Sequence, residues 1–381
     1  MPHGFRCILL TETPGTQAMK RNTSPPELSI IVPVLNESAL LPALFQTIAG
    51  QERTAIELII CDGGSADGSA DLARGLGDEA GFRVIVTSCE RGRGRQLNAG
   101  AALSSAPTLL FLHADSRFAG CLALRTALDL LAGTAADRGH DRVAGRFPLR
   151  FVRSSTEPSL PYYYYECKAR LDRPGCIHGD QGLMLRTAFF LDTGPFEPYP
   201  PMLAETRFAD TVRHSGEWLL FPVEIFTSAR RFESEGLHGR QALNAIIMNA
   251  AAIGWKDFFQ KFSLIYTDND GNGRPVTATV LRAIRGLVAA LPARERLSLW
   301  YATGGYVLAN AWQVPFFLDT RRNFRRGLPA GNCNHPLLDL HDRHLARLLS
   351  HGPGRMLAAA LAWLWFQATS RCADALFRKR G

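Results

Sequence analysis

Four short polar segments carry residue types suited to chemistry, and each follows a run of apolar residues. They are Asn36-Glu37, Asp62-Gly63-Gly64-Ser65, Glu90 through Arg95, and His113-Ala114-Asp115-Ser116. A carboxylate at the end of a buried strand, as at Asp62, can accept from a ribose or base, and adjacent glycines let backbone approach a ligand. The same Asp can instead close an Asx-turn and cap the next helix. Asp115 offers the oxygen that a hard divalent cation needs when substrate phosphates supply the remaining ligands. His113 lies two residues away, on the same side of an extended segment. The other reading of Asp115 is a helix N-cap. Arg91-Gly92-Arg93-Gly94-Arg95 is basic and glycine-rich, and it precedes a helical stretch whose first amides would attract an anion such as a diphosphate. The alternative reading is a solvated surface loop, and its spacing is not that of a P-loop.

The elements that must position these residues alternate. Strand-like runs at 28–35, 56–61, 82–87 and 108–113 are separated by helical periodicity at 38–49, 66–76 and 96–104. Such alternation implies βαβ crossovers and a mostly parallel sheet in an α/β domain. Continuous apolar strands fit a sheet covered on both faces, where ligands bind at the carboxyl ends of the strands. All four polar segments fall there. Further on, 143–152 reads as a strand, 162–171 as a helix, 203–215 as a helix, 218–226 as extended chain and 236–253 as a long helix. Beyond about 275 helical periodicity dominates. It contains an Arg-rich segment (Arg321, Arg322, Arg325, Arg326) and an apolar helix over 356–368 followed by basic residues. Such a helix can lie on an anionic membrane or pack on its own domain.

The 381 residues are 46% hydrophobic and 20% charged, enough for a sizeable core, and the formal charge of +8 favours anionic partners. No helix-turn-helix, zinc-finger or RNP-type signature is present, which argues against nucleic acid. Eight cysteines lack CxxC spacing, so a reduced, cytoplasmic protein is expected rather than a disulfide framework. Cys333 and His335 fall short of a metal site. The apolar run at 7–10 is too short for a signal peptide, and no stretch reaches the ~18 apolar residues of a spanning helix.

Six motifs in order resemble family-2 glycosyltransferases of the GT-A fold, specifically the radical-SAM/selenodomain-associated subgroup. They are SIIVPVLNE from Ser29, ICDGGSADG from Ile60, RGRGRQLNAG from Arg91, LFLHAD from Leu110, GDQ from Gly179 and TSARRF from Thr227. The resemblance covers roughly 28–255. It implies a Rossmann-like sheet, a nucleotide-diphosphate sugar donor, a hydroxyl acceptor and a divalent cation, Mg²⁺ or Mn²⁺. Pro33, Asn36, Glu37 and Asp62 would line the nucleotide pocket, with Arg91, Arg95 and Asn98 facing the donor. Asp115 would match the last carboxylate of the Asp-x-Asp metal motif, whose first Asp is replaced by His113. Asp180 and Gln181 would lie at the sugar and acceptor. Glu205 takes the place of the family's Asp base, and its alternative is a helix-N-terminal Glu stabilised by the dipole. Arg231 would clamp the leaving diphosphate, with Arg230 as the rival. The domains expected are a tail over 1–27, the transferase-like domain over 28–255 and a helical extension over 256–381, which offers a peripheral membrane contact through its last helix. Two other functions fit less of the pattern. A nucleotidyltransferase would need a Gly-rich basic signature that Pro33 to Glu37 lacks, and a nucleotide-sugar-binding protein would not turn over.

Overall fold

The computed structural model describes residues 25–268, 276–346 and 351–378. Most of the expected tail, together with Lys379 and Arg380, lies outside them. In chain order the elements are β1 (Leu28–Val34), α1 (Leu41–Ala49), β2 (Ile56–Asp62), α2 (Ser69–Glu79), β3 (Arg83–Ser88), α3 (Arg93–Leu103), β4 (Thr108–Phe111), β5 (Arg117–Phe118) and α4 (Ala123–Arg138). There follow β6 (Val143–Arg146), β7 (Leu149–Val152), α5 (Leu160–Lys168), β8 (Leu183–Arg186), α6 (Thr187–Thr193), α7 (Ala204–Ser215), β9 (Glu217–Leu220), β10 (Ile225–Ser228) and α8 (Arg230–Glu235). Helices complete the described chain: α9 (Leu237–Ala252), α10 (Lys256–Asp268), α11 (Val276–Ala290), α12 (Ala293–Ala309), α13 (Gln313–Arg325), α14 (Pro336–Leu340) and α15 (Gly352–Arg378).

Seven strands form one sheet in the order β3-β2-β1-β4-β8-β6-β9. β1 pairs parallel with β2 and β4, and β2 with β3. The sheet is mostly parallel because β8 alone runs against its neighbours β4 and β6. Both faces are covered, as the continuous apolar strands require. Leu28, Ile30, Val32 and Val34 of β1 face one apolar cluster, and Ile31 faces another with Ile59 and Cys61 of β2. Adjacent residues of one strand thus feed opposite cores, which a period of two dictates.

Two stretches that read as single strands are broken. The run 143–152 is β6 and β7, in different sheets, and 218–226 is divided between β9 and β10. Pro148 and Pro222 stand at the breaks, and each lacks the N–H that a continued ladder would need. β7 and β10 pair in a three-stranded sheet with β5, beside the main one. Helices on either side of the expected boundary at residue 255 pack together. Leu243, Ile247 and Ala250 of α9 share a third apolar cluster with Phe258 and Phe262 of α10, Leu281 of α11 and Phe366 of α15. A fourth cluster joins Cys167 of α5 to Trp312 and Phe316, so the helical region also packs directly on the domain that holds the parallel sheet. There Cys167 Sγ lies 3.6 Å from Cys333 Sγ.

Candidate functional site

The segments after β1 and β2 are stitched into one rim. Asn36, with φ of 55°, accepts from the Ala66 amide at 2.8 Å and donates its own N–H to Ser65 Oγ at 2.9 Å. The Glu37 and Ser38 amides donate to Ser69 Oγ and Asp67 Oδ2. The Ser69 hydroxyl and the Ser38 amide hold Asp67 well below the usual carboxylate range. Asp62 is buried, and its carboxylate accepts from the Gly64 and Ser65 amides, each at 3.1 Å, which is the Asx-turn reading.

α3 lies against these strand ends. Gln96 donates from Nε2 to both Val34 O, at 2.8 Å, and Cys61 O, at 2.9 Å, satisfying a carbonyl on each strand. Gly100 permits the approach, since a Cβ there would sit 2.4 Å from Ile31 Cγ2 and 2.7 Å from Cys61 Sγ. The glycine-rich run is therefore not a free loop. α3 begins at Arg93, and Gly94 is buried where a Cβ would meet Glu197 O at 2.9 Å. Gln96, Gly94 and Gly100 carry no chemical signature in the sequence. Gln96 and Gly100, four residues apart on one helix face, carry the one signal that could have marked them, while Gly94 lies on the far side.

The reactive groups gather at the end of β4. His113 Nε2 is 3.1 Å from Glu205 Oε1 and 3.0 Å from Arg93 Nη1, and that guanidinium is 3.4 Å from the same Glu205 oxygen. Glu205 stands in the first turn of α7, and its side chain is 7% exposed. Burial pushes its carboxyl up, but the Arg93 charge and the His113 hydrogen bond outweigh burial and leave it at about 2. Gly179 makes room for the pair, because a Cβ there would come within 2.5 Å of Glu205 Oε1 and 2.7 Å of His113 Nε2. The next residue, Asp180, has no comparable cation. Burial raises its carboxyl to about 6, opposed by His113 and reinforced by Asp115 and Glu205, and its Oδ1 is buried without a hydrogen-bond partner. His178 Nδ1 lies 3.0 Å from Thr206 Oγ1, and burial lowers that imidazole to about 4, which leaves it neutral. The sequence presents Arg93 only as one arginine of three in a basic run, and a lone His such as His178 carries no pattern.

Asp115 Oδ2 accepts from the Thr227 hydroxyl and the Ser228 amide, both at 3.2 Å, so β10 is tied to the end of β4. Just beyond, Arg230 pairs with Glu37 Oε2, and Arg231 Nη2 lies 3.9 Å from Glu37 Oε1. Phe232 anchors this corner with its ring 5.7 Å from Phe151 and 6.1 Å from Tyr162. Other expected residues turn to local partners. Asn98 bonds both the N–H and the C=O of Phe196 at 2.9 Å, Arg95 pairs with Glu90, and Gln181 Nε2 donates to Cys176 O at 2.8 Å. Pro33 stays within β1, and Arg91 stands just ahead of α3. Among the described residues no group of three or more His, Cys, Asp or Glu is arranged to hold a metal ion. One or two carboxylates with phosphates completing the shell still fit Mg²⁺ or Mn²⁺, and the orphaned Asp180 oxygen is consistent with a cationic neighbour.

Residues 29–189, from β1 into α6, match the family model described as Glycosyl transferase family 2. The chain is 40% identical over 91 residues to a PGL/p-HBAD biosynthesis glycosyltransferase of Mycobacterium tuberculosis, covering 24% of this chain and 36% of that one. It is 26% identical over 174 residues to an undecaprenyl-phosphate 4-deoxy-4-formamido-L-arabinose transferase of Pseudomonas paraeruginosa, covering 42% of this chain and 51% of that one. The chain thus spans between a third and about half of the length of these curated relatives. Among solved structures, a mannosyltransferase from Pyrobaculum calidifontis in complex with GDP-Man and Mn2+ is 17% identical, with a TM-score of 0.45 over 92% of this chain and 88% of that one. The family match and the curated relatives support sugar transfer. Glu205, Arg230 and Arg231 lie beyond the matched segment.

Proposed function

We propose that this chain is an inverting glycosyltransferase that moves a sugar from a nucleotide-diphosphate donor to an acceptor hydroxyl, in the radical-SAM/selenodomain-associated subgroup that its motifs resemble. The observation that carries the reading is the meeting of Arg93, His113, Glu205 and Asp180 at the carboxyl ends of the parallel strands. In this reading Pro33, Asn36, Glu37 and Asp62 line the nucleotide pocket. Arg91, Arg93 and the first amides of α3 face the diphosphate. Arg231 and Arg230, now on Glu37, turn to the leaving phosphates when the donor enters. Asp115 would hold a divalent cation, with Asp180 near it, and that ion would neutralise charge on the leaving diphosphate.

Glu205 is the proposed base by its position in the first turn of α7. While Arg93 and His113 hold it, its proton affinity is low. A base of that kind gains strength when a bound diphosphate draws Arg93 away. Without the cation, Asp180 at about 6 is the second carboxylate able to take a proton near neutral pH, and a cation beside it would lower that value. Glu205→Gln and Asp180→Asn separate the two. The variant that abolishes transfer while keeping donor affinity identifies the base.

No helix among the described residues is long and apolar enough to cross a membrane. A peripheral contact through α15 is supported by Leu357, Leu361 and Leu364, which recur at helical spacing and are 63%, 56% and 54% exposed. One of the relatives is named for a polyprenyl-phosphate substrate, which makes a membrane-borne acceptor a coherent partner for such a contact.

The test is a thermal-shift panel of UDP, GDP, CDP and dTDP, each with and without Mn²⁺ or Mg²⁺. A ligand at about 100 times its Kd adds about 2.7 kcal/mol of stability. One nucleotide is expected to stabilise the protein only with metal, and Asp115→Ala to remove the effect. If no nucleotide shifts the midpoint, the donor site is wrongly assigned.

A further inference from the structure

α13 packs with its polar side inward. Phe316, Asp319, Thr320 and Asn323 are buried, and at about 100° per residue they share one face of the helix. Asp319 and Asn323 hold the next helix and the segment before it, while Thr320 Oγ1 and Asp319 Oδ1 are buried without a partner. Asp319 Oδ2 accepts from the Leu337 and Leu338 amides at 2.8 and 3.0 Å, capping α14, and Asn323 donates to Asn334 O at 2.9 Å. The opposite face turns outward and is apolar in its first half: Val314 is 66% exposed, Phe317 41% and Leu318 46%. Its second half is basic, with Arg321, Arg322 and Arg325 all exposed. These six positions fall within an arc of about 140°. This reverses the usual order, in which a surface helix buries its apolar stripe and exposes its polar one.

We propose that the outward face of α13 is a docking surface for an anionic phospholipid membrane, seating Val314, Phe317 and Leu318 among acyl chains and the arginines among headgroup phosphates. Charge selects this occupant. The only acidic residue of α13 is Asp319, which is 1% exposed on the inner face. A second copy meeting this face with its own would therefore bring no carboxylate to the guanidiniums, whereas an anionic lipid surface supplies phosphate to each. The overall charge of +8 acts in the same direction. The surface is distinct from α15 and does not rest on the assignment of the donor site.

The experiment is flotation of the full chain with vesicles of phosphatidylglycerol and phosphatidylcholine, compared with phosphatidylcholine alone. The anionic vesicles are expected to carry the protein, and added salt to release it. Replacing the three arginines together (Arg321→Gln, Arg322→Gln, Arg325→Gln) is expected to weaken binding by about a hundredfold, the effect of three basic residues at an anionic surface. Val314→Ser with Leu318→Ser should weaken it independently. All these side chains are exposed, so an unchanged thermal midpoint certifies each variant as folded. Equal binding by wild type and the arginine variant overturns the proposal, as does no binding at all. So does loss of binding only with Leu357→Ser and Leu361→Ser, which would move the contact to α15. Self-association that Val314→Ser abolishes, without vesicle binding, would assign the face to a second copy. The nucleotide-dependent shift, measured on the same preparations, fails separately if the donor reading is wrong.

Discussion

Glu205 keeps its charge because Arg93 and His113 together offset burial, whereas Asp180, one residue from Gly179, has no such cation. The two carboxylates therefore act on stability with opposite signs. Glu205 has a folded-state value of about 2 against an ordinary 4.5, so its contribution is present above pH 4.5 and is lost as pH falls towards 2. Glu205→Gln should cost roughly 2–3 kcal/mol at neutral pH, with the gap to wild type closing in acid. Asp180 is raised from 3.8 to about 6, so the folded protein holds the proton more tightly and loses stability as pH rises between these values. Asp180→Asn should thus stabilise the fold by roughly 2 kcal/mol at pH 7 and have no effect below the lower value. Denaturant midpoints across pH check both. A gain in stability bought with lost transfer would mark Asp180 as retained for function. Both residues came to notice only through the family resemblance, Glu205 at a helix start and Asp180 in a turn before a strand. The sequence did not expose their protonation, because that depends on Arg93, 112 residues from Glu205 in the chain.

The four parallel strands could be read closely, since an apolar β-branched run bounded by polar residues has few other interpretations. β6 and β7 could not, because apolar character continues through Phe147-Pro148 while the backbone leaves one sheet for another. Nor could the role of Asn98 be read, whereas the Asx-turn at Asp62 is one of the two readings its residues allow. Both side chains bind backbone, and the Phe196 groups that hold Asn98 are distant in sequence. α3 packs closely on β1 and β2 at Gly100. Gly100→Ala should therefore destabilise the protein by about 1–3 kcal/mol, the usual cost of overpacking. It should also weaken nucleotide binding, since α3 carries Arg93. A variant that binds nucleotide and unfolds as wild type does would show that α3 can move away from the sheet at no cost.

At the scale of the whole molecule, α9 shares an apolar cluster with the helices after residue 255, and Phe366 of α15 belongs to it. Phe366→Ala should cost about 3–5 kcal/mol, read as a lowered thermal midpoint. Removing α15 altogether would unfold α12's neighbours as well as any lipid contact, so truncation is a poor probe of membrane binding. Periodicity revealed helices here but not their partners, because amphipathic helices of similar length can pair in several ways. Glu205 meets His113 across 92 residues of chain and Arg93 across 112. Such contacts reward the chain only after large loops have closed, and closing them is slow. During refolding from denaturant, backbone circular dichroism should recover first and nucleotide binding only in the final kinetic phase, so that ligand competence serves as a clock for completed folding.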